Sequence, residues 1–148
     1  MRVLVQRVER AEVEVDGEIV GTIRRGVLAF ISVGKGDSEQ DAAFIADKIV
    51  NLRIFADRAG KMNLSVQDVG GAVLAVSNFT LHGDCRKGRR PGFDAAADPD
   101  QAERLFDKVV ALISASVPVG QGRFGARMHV SSVNDGPINF ILDSSRLF

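Results

Sequence analysis

Apolar and polar residues alternate along this chain in two periods, and the switches between them mark out its elements. Residues 3–8 read as a strand. Ala11, Val13 and Val15 alternate with Glu12 and Glu14, the pattern of a strand with one buried face. Asp16-Gly17 follows, and both positions tolerate positive φ, so a two-residue hairpin turn is predicted. The chain returns over 18–23, turns at Arg24-Arg25-Gly26 and enters an apolar strand over 27–33. Then the period lengthens. Ala42, Ile45, Ala46, Ile49 and Leu52 form a helical stripe that Asp37 or Ser38 can cap.

A short segment, Arg53-Ile54-Phe55, can be a strand, and 59–63 reads as a turn. Gly70-Gly71 precedes a strand over 72–81, and a loop rich in Gly, Arg and Asp fills 83–97. Asp98, Pro99 and Gln101 predict a helix start: a cap, a proline at the first helical position and the third-position glutamine of a capping box. The stripe of this helix is Ala102, Leu105, Phe106, Val109, Val110 and Ile113, and Pro118 lies beyond its end. A strand over 124–133, a turn at Asn134-Asp135-Gly136-Pro137 and a strand over 138–142 close the chain. No repeat or linker interrupts it, so residues 1–148 are expected to form a single domain. Two helices are too few for a doubly wound sheet. The expected fold class is α+β: a compact, barrel-like, mostly antiparallel or mixed sheet with two main helices.

Composition narrows the function. Lys+Arg 19 against Asp+Glu 19 argues against a general polyanion binder, although local patches remain open. A single cysteine, Cys85, excludes an internal disulfide, fits a reducing compartment and gives no zinc signature. No run approaches the ~20 apolar residues that span a bilayer. Charge at Arg2 and Arg7 comes too early for a signal peptide. The expectation is a soluble, cytoplasmic protein with neither membrane nor DNA as partner. Trp and Tyr are absent, and most of the nine Phe lie in apolar contexts that read as core, which argues against an RNA module that stacks bases on exposed rings.

Two small polar segments carry the candidate chemistry. Ser77, Asn78, Phe79 and Thr80 end one apolar run, and Asn134 to Pro137 follows another. Segments of this kind at strand ends can form a small-molecule site from backbone amides. One well-placed amide facing a developing oxyanion lowers a barrier by roughly 2.7–4 kcal/mol. The plain alternative is a strand end with its hydroxyls in solvent. Thr80 could instead be a nucleophile, which requires a base. His82 would share its strand face, but ~7 Å along the strand is too far for a direct hydrogen bond. His82 and His129 read as ordinary surface or satisfied histidines. Asn134-Asp135-Gly136-Pro137 is strong turn chemistry, and the sequence leaves the Gly-Pro isomer open. Arg86, Lys87, Arg89 and Arg90 read either as a solvated loop or as contacts to a nucleic-acid backbone, with Asp94 and Asp98 offsetting part of the charge. Gly34-Lys35-Gly36 is too short for a phosphate loop. No metal cluster is evident, and Asp57 and Asp68 form no recognisable acid/base pair.

Taken together, several segments resemble the D-aminoacyl-tRNA deacylase family along essentially the whole chain. They are Gln6-Arg7-Val8, Leu52-Arg53-Ile54-Phe55, residues 60–64, residues 76–81, Gly88-Arg89-Arg90-Pro91, and Gly122-Arg123-Phe124 through Asn134-Asp135-Gly136-Pro137. The resemblance implies a homodimeric hydrolase without metal or organic cofactor. Its active sites lie at the subunit interface, and its substrate is the 3′ acceptor end of an aminoacyl-tRNA. It implies cleavage of the ester of D-aminoacyl-tRNA, and of glycyl-tRNA mischarged on tRNA(Ala), with L-aminoacyl groups excluded. By the same resemblance, residues 77–80 line the ester. Gly136-Pro137 is cis, reaches the partner's pocket and sets chirality, Arg7 helps hold that loop, and Asn134, Asn139 and Met128 belong to the substrate site. Both a Thr80 nucleophile and assistance from the substrate's ribose hydroxyl fit the family pattern. The chain departs from that pattern at Asn78 (usually Gln), Asn139 (usually Thr) and Ile138 (usually Val). The two Asn departures leave a second reading: a catalytically impaired, tRNA- or small-molecule-binding homodimer of the same fold.

Overall fold

The protein is described from a computed structural model, over residues 1–147. Its longest strands run at the two ends of the chain. Strand β1 spans Arg2–Val15, and its alternating Val residues at 3, 5, 8, 13 and 15 are all buried. Asp16 and Gly17 both take positive φ and turn the chain into β2, Glu18–Ile23. Strand β3 follows over Gly26–Ser32. The chain does not reverse between β2 and β3. Pairing along β1 keeps one register from Arg2↔Ser32 through Val8↔Gly26 and on to Ala11↔Ile23 and Val13↔Gly21. Arg24 and Arg25 therefore form a bend in one long return strand, where the sequence predicts a turn. A 14-residue neighbour supplies edge enough for both pieces.

Helix α1 covers Glu39–Asn51, with Ser38 as its cap and Asp41 completing the capping box. Asp41 Oδ2 accepts from the Ser38 backbone N–H at 2.8 Å and from its hydroxyl at 2.7 Å. A two-stranded ribbon follows, β4 (Phe55–Ala56) with β5 (Met62–Leu64). Strand β6, Ala72–Ser77, pairs parallel with β3. It stops four residues short of the predicted end, because a 3₁₀ turn over Phe79–His82 begins there. Helix α2 spans Pro99–Ser114, and the Asp98 side chain accepts from Gln101 N–H at 3.1 Å. The reciprocal half of the predicted capping box is missing. The Gln101 side-chain amide donates instead to Lys35 O and Asp37 O, tying α2 to the loop before α1.

A short strand with no sequence signal, β7 (Val119–Gln121), pairs parallel with β6. It also packs beside β2: a Cβ on Gly21 would lie 2.4 Å from Gln121 O. This approach nearly closes the mixed sheet into a barrel, whose order is β2-β1-β3-β6-β7. Residues 123–126 form a turn, so the last strand, β8, begins only at His129 and runs to Asp143. β8 pairs antiparallel with β1 over nearly its whole length.

Both faces of β3 are buried, as its unbroken apolar run requires. Val27, Ala29 and Ile31 face the helices, together with Ile45 and Ile49 of α1 and Leu105, Val109 and Ile113 of α2. Leu28 faces the barrel interior with Val8, Val13, Leu74 and Val76.

Candidate active site

Parallel strands β3 and β6 end side by side at Ser32 and Ser77. Beyond them opens a cavity of about 710 Å³. A crevice at the carboxyl ends of parallel strands is a recurrent ligand site, because the chain diverges there. The start of α2 forms one wall with Pro99, Ala102 and Phe106, and residues 124–130 form another. Of the residues singled out from sequence, Ser77, Asn78, Phe79 and Met128 line it, whereas Thr80 does not. Its polar side chains among the described residues are Ser32, Ser77 and Asn78, and none of its lining groups is charged.

The 3₁₀ turn determines what the 77–80 segment can offer. Asn78 N–H is used by Ile31 O at 2.8 Å, which fixes the start of the turn to β3. Asn78 then acts as the cap: its Oδ1 accepts from Thr80 N–H at 3.3 Å and from the Thr80 hydroxyl. A side chain this short reaches its own turn readily. Phe79 N–H, by contrast, has no protein acceptor among the described residues. Phe79 is the first residue of the turn and lines the cavity, so its amide is the unused donor nearest the mouth of the turn.

The idea that Thr80 and His82 share a strand face does not survive, since neither lies on a strand. The Thr80 hydroxyl is given to Asn78, while His82 turns inward, is buried, and meets Ser32 Oγ through Nδ1 at 2.6 Å. Burial, and then the nearby Arg2 charge, push the His82 imidazole below its usual value. His129 is exposed. Sequence reasoning passed over Ser32, although one hydroxyl at the end of an otherwise apolar strand was a visible signal. Most of the nine Phe read as core, but Phe79 and Phe93 stand exposed at the cavity in an edge-to-face pair, ring centroids 5.0 Å apart.

The second polar segment is not a hairpin turn. Gln6 pairs with Asn139 and Val8 with Asn134, so Arg7 alone stands opposite residues 135–138. The segment is a bulge in a continuous strand, and the Gly136-Pro137 bond within it is cis. Asn134 Nδ2 closes the bulge by donating to Arg7 O at 2.9 Å and Ile138 O at 3.3 Å. Gly136 has φ +125°, and a Cβ there would lie 2.6 Å from Ile138 Cγ1, so no other residue fits without strain. The Arg7 side chain braces the bulge. Its Nη1 donates to Ile54 O at 2.7 Å, its guanidinium lies over the Phe55 ring, and its Nε stands 2.9 Å from Asp135 Oδ2. That last contact is an ion pair rather than an aligned hydrogen bond. Gly136, Pro137 and Asn139 are exposed.

One chain does not bring the two segments together, since neither Gly136 nor Pro137 lines the cavity. Met128 and Val130 do, and Gly136 lies about 20 Å further along β8 than Val130, at ~3.3 Å per residue. The basic run projects from the same loop as Phe93, closed at its base by the Asp84↔Gly92 bridge. Arg86 is not free: two bonds to Asp84, at 2.7 and 2.8 Å, pair it off and hold the Asp84 carboxyl far below its usual range. Lys87, Arg89 and Arg90 are exposed, with no acidic partner among the described residues.

A family model described as D-Tyr-tRNA(Tyr) deacylase matches residues 4–143. The chain belongs to that family. Among relatives called D-aminoacyl-tRNA deacylase, that of Geobacter sulfurreducens is 57% identical over 97% of this chain and 95% of its own. That of Thermotoga petrophila is 53% identical over 100% of both. A solved structure described as c-Myc DNA Unwinding Element Binding Protein superposes with a TM-score of 0.92 at 35% identity, covering 97% of this chain and 98% of its own. A second, described as a probable eukaryotic D-amino acid tRNA deacylase, reaches 0.84 at 17% identity and bears on the fold alone. The chain is thus a D-Tyr-tRNA(Tyr) deacylase family member, a hydrolase, on the barrel-like α+β fold expected. Among the described residues no group of His, Cys, Asp and Glu could hold a metal, and no helix is long and apolar enough to cross a membrane.

Proposed function

We propose that this protein hydrolyses the ester between a D-amino acid and the 3′ end of tRNA, releasing free D-amino acid and tRNA, and that it spares L-aminoacyl-tRNA. The observation that carries this reading is an uncharged cavity lined by Phe79, a residue whose backbone amide has no protein acceptor among the described residues. An aminoacyl ester is already activated. It needs an oxyanion donor and a positioned water more than it needs a nucleophile. The substrate's own ribose hydroxyl relays the proton, because no base stands beside Thr80.

Chirality is set by a second copy of the chain. The 15-residue strand β8 is paired on one edge only among the described residues, and Phe140 and Ile141 stand exposed on it. An edge this long invites pairing. In a homodimer the exposed Gly136-Pro137 bulge enters the partner's cavity, its carbonyls occupying the space of an L side chain. Glycine has no side chain to reject, so glycyl-tRNA is a substrate too. Lys87, Arg89 and Arg90 meet the acceptor-stem phosphates, a positioning role that reads no bases.

The test is deacylation of D-tyrosyl-, L-tyrosyl- and glycyl-tRNA by purified protein. Loss of the D and glycyl esters with the L ester intact is expected. An intact glycyl ester, or equal loss of D and L, contradicts selection by exclusion. Binding of tRNA with no turnover supports the impaired-binder reading, for which the diversion of Asn78 into capping its own turn is the relevant observation.

A further inference from the structure

His82 closes the turn proposed to bind the ester and Ser32 stands beside it, and the proposed chemistry uses neither side chain. Ser32 lies at the end of β3, is 1% exposed and lines the cavity. His82 is the last residue of the 3₁₀ turn whose first residue is Phe79. Their 2.6 Å bond is therefore the tie between the far end of the turn and the barrel. The near end is tied by Asn78 N–H to Ile31 O, on the same strand. Arg2 adds a tie between them: Nη1 donates to Leu81 O at 3.2 Å, while Nε lies 3.0 Å from the buried carboxylate of Asp143.

We propose that Ser32 and His82 form a positioning pair that holds the Phe79 amide at the cavity wall. This rests on reading that amide as the oxyanion donor. The charges around the ring come from several elements. Arg2 and the Met1 ammonium oppose a proton on His82, while Asp37 and Asp143 favour one. A Cβ on Gly34 would stand 2.9 Å from His82 Nε2 and 3.3 Å from Asp37 Oδ2, so the backbone of Gly34 lies close to both groups. In the tautomer assigned to the pair, Nε2 carries the proton and Nδ1 accepts from the Ser32 hydroxyl, 2.6 Å away. The hydroxyl is thereby spent on the turn, and neither residue attacks the ester.

The test compares wild type, Ser32→Ala, His82→Leu, the double variant and His82→Asn, whose amide stands where Nδ1 stood. Two readouts are taken: steady-state kinetics on D-tyrosyl-tRNA, and exchange of the Leu81 and Gly83 amides, whose bonds to Asn78 O and Thr80 O close the turn. Ser32→Ala and His82→Leu are expected to lower kcat roughly ten- to a hundredfold, as a displaced donor does. KM stays within about twofold. The double variant is no worse than either single, because one shared bond is lost once. His82→Asn recovers most of kcat, and exchange at both amides rises in the two single variants. An unchanged kcat, losses that multiply in the double variant, or a His82→Asn as poor as His82→Leu overturns the pair. If wild type does not cleave the ester, the functional reading fails separately, and unchanged amide exchange in Ser32→Ala then overturns the tie itself.

Discussion

Thr80 and His82 show how far one hydrogen bond can redirect a side chain. Thr80 is engaged by Asn78, two residues back, and has no base. Thr80→Ala should therefore keep most deacylase activity, within about tenfold of wild type, less than a lost oxyanion donor would cost. Single-turnover hydrolysis collapsing on that change would restore the nucleophile. Gly136 is constrained in the opposite sense. Gly136→Ala puts a methyl 2.6 Å from Ile138 Cγ1 at a φ that L residues avoid. The bulge should shift, and D-over-L selectivity should fall more than thermal stability does, as parallel deacylation and melting measurements would show. His82 carries a pH signature. Its folded value lies below the usual 6.5, so the unfolded chain binds the proton more tightly. Its contribution to stability is complete above about 6.5 and fades as pH falls through the lower, folded value. Urea midpoints measured from pH 8 to 5 should decline in wild type and decline less in His82→Asn.

At the scale of elements, the local signals that held were those of periodicity. The stripe of α1 buries Ala42, Ile45, Ala46 and Ile49, and each fully buried Ile contributes about 1.5–3 kcal/mol. The stripe of α2 buries Leu105, Phe106, Val109 and Ile113 against it. Capping was legible at both helices, but its details were not. Gln101 had a better use bridging Lys35 and Asp37 than closing its own box. Strand β7 escaped notice because three residues including a glycine carry no period; pairing with β6 is what makes them a strand. Close approach of backbones is the element-scale weakness. A Cβ on Gly26 would stand 1.9 Å from Ala72 O, where β3 meets β6. Gly26→Ala should cost about 3 kcal/mol or more, a backbone clash that no rotamer relieves. Chemical denaturation is the measurement, and a loss under about 1 kcal/mol would mean that the strands can separate there without penalty.

For the molecule as a whole, the proposed function requires the cavity and the exposed bulge to meet. One chain holds them apart at opposite stretches of β8, and the free edge of that strand offers a second copy its place. Ile141, 62% exposed, should then sit in or beside the contact. Ile141→Lys is expected to shift the protein to monomer in sedimentation and to lower deacylation at least about tenfold, since burying an unpaired ammonium is costly. Monomeric wild type with full, D-selective activity would sink the shared site. Deacylation should also weaken with rising salt if Lys87, Arg89 and Arg90 touch phosphates, and removing those three charges should flatten that dependence.

What the sequence determined by itself was the list of local elements, because hydrophobic period, turn residues and caps act within a few residues of one another. Both helices, the Asp16-Gly17 hairpin, the apolar strand over 27–33 and the start of the one predicted over 72–81 follow from it. The family-bearing segments could likewise be read off the chain, since they are short and contiguous. Only the tertiary structure decided which edges those strands share. It turned a predicted reversal at Arg24-Arg25 into a bend, and Asn134 to Pro137 from a turn into a bulge, because β1 runs on past both and keeps pairing. It also ended β6 at Ser77 and drew His82 inward to Ser32, since a hydroxyl far away in sequence, at the end of β3, was the partner its ring could reach.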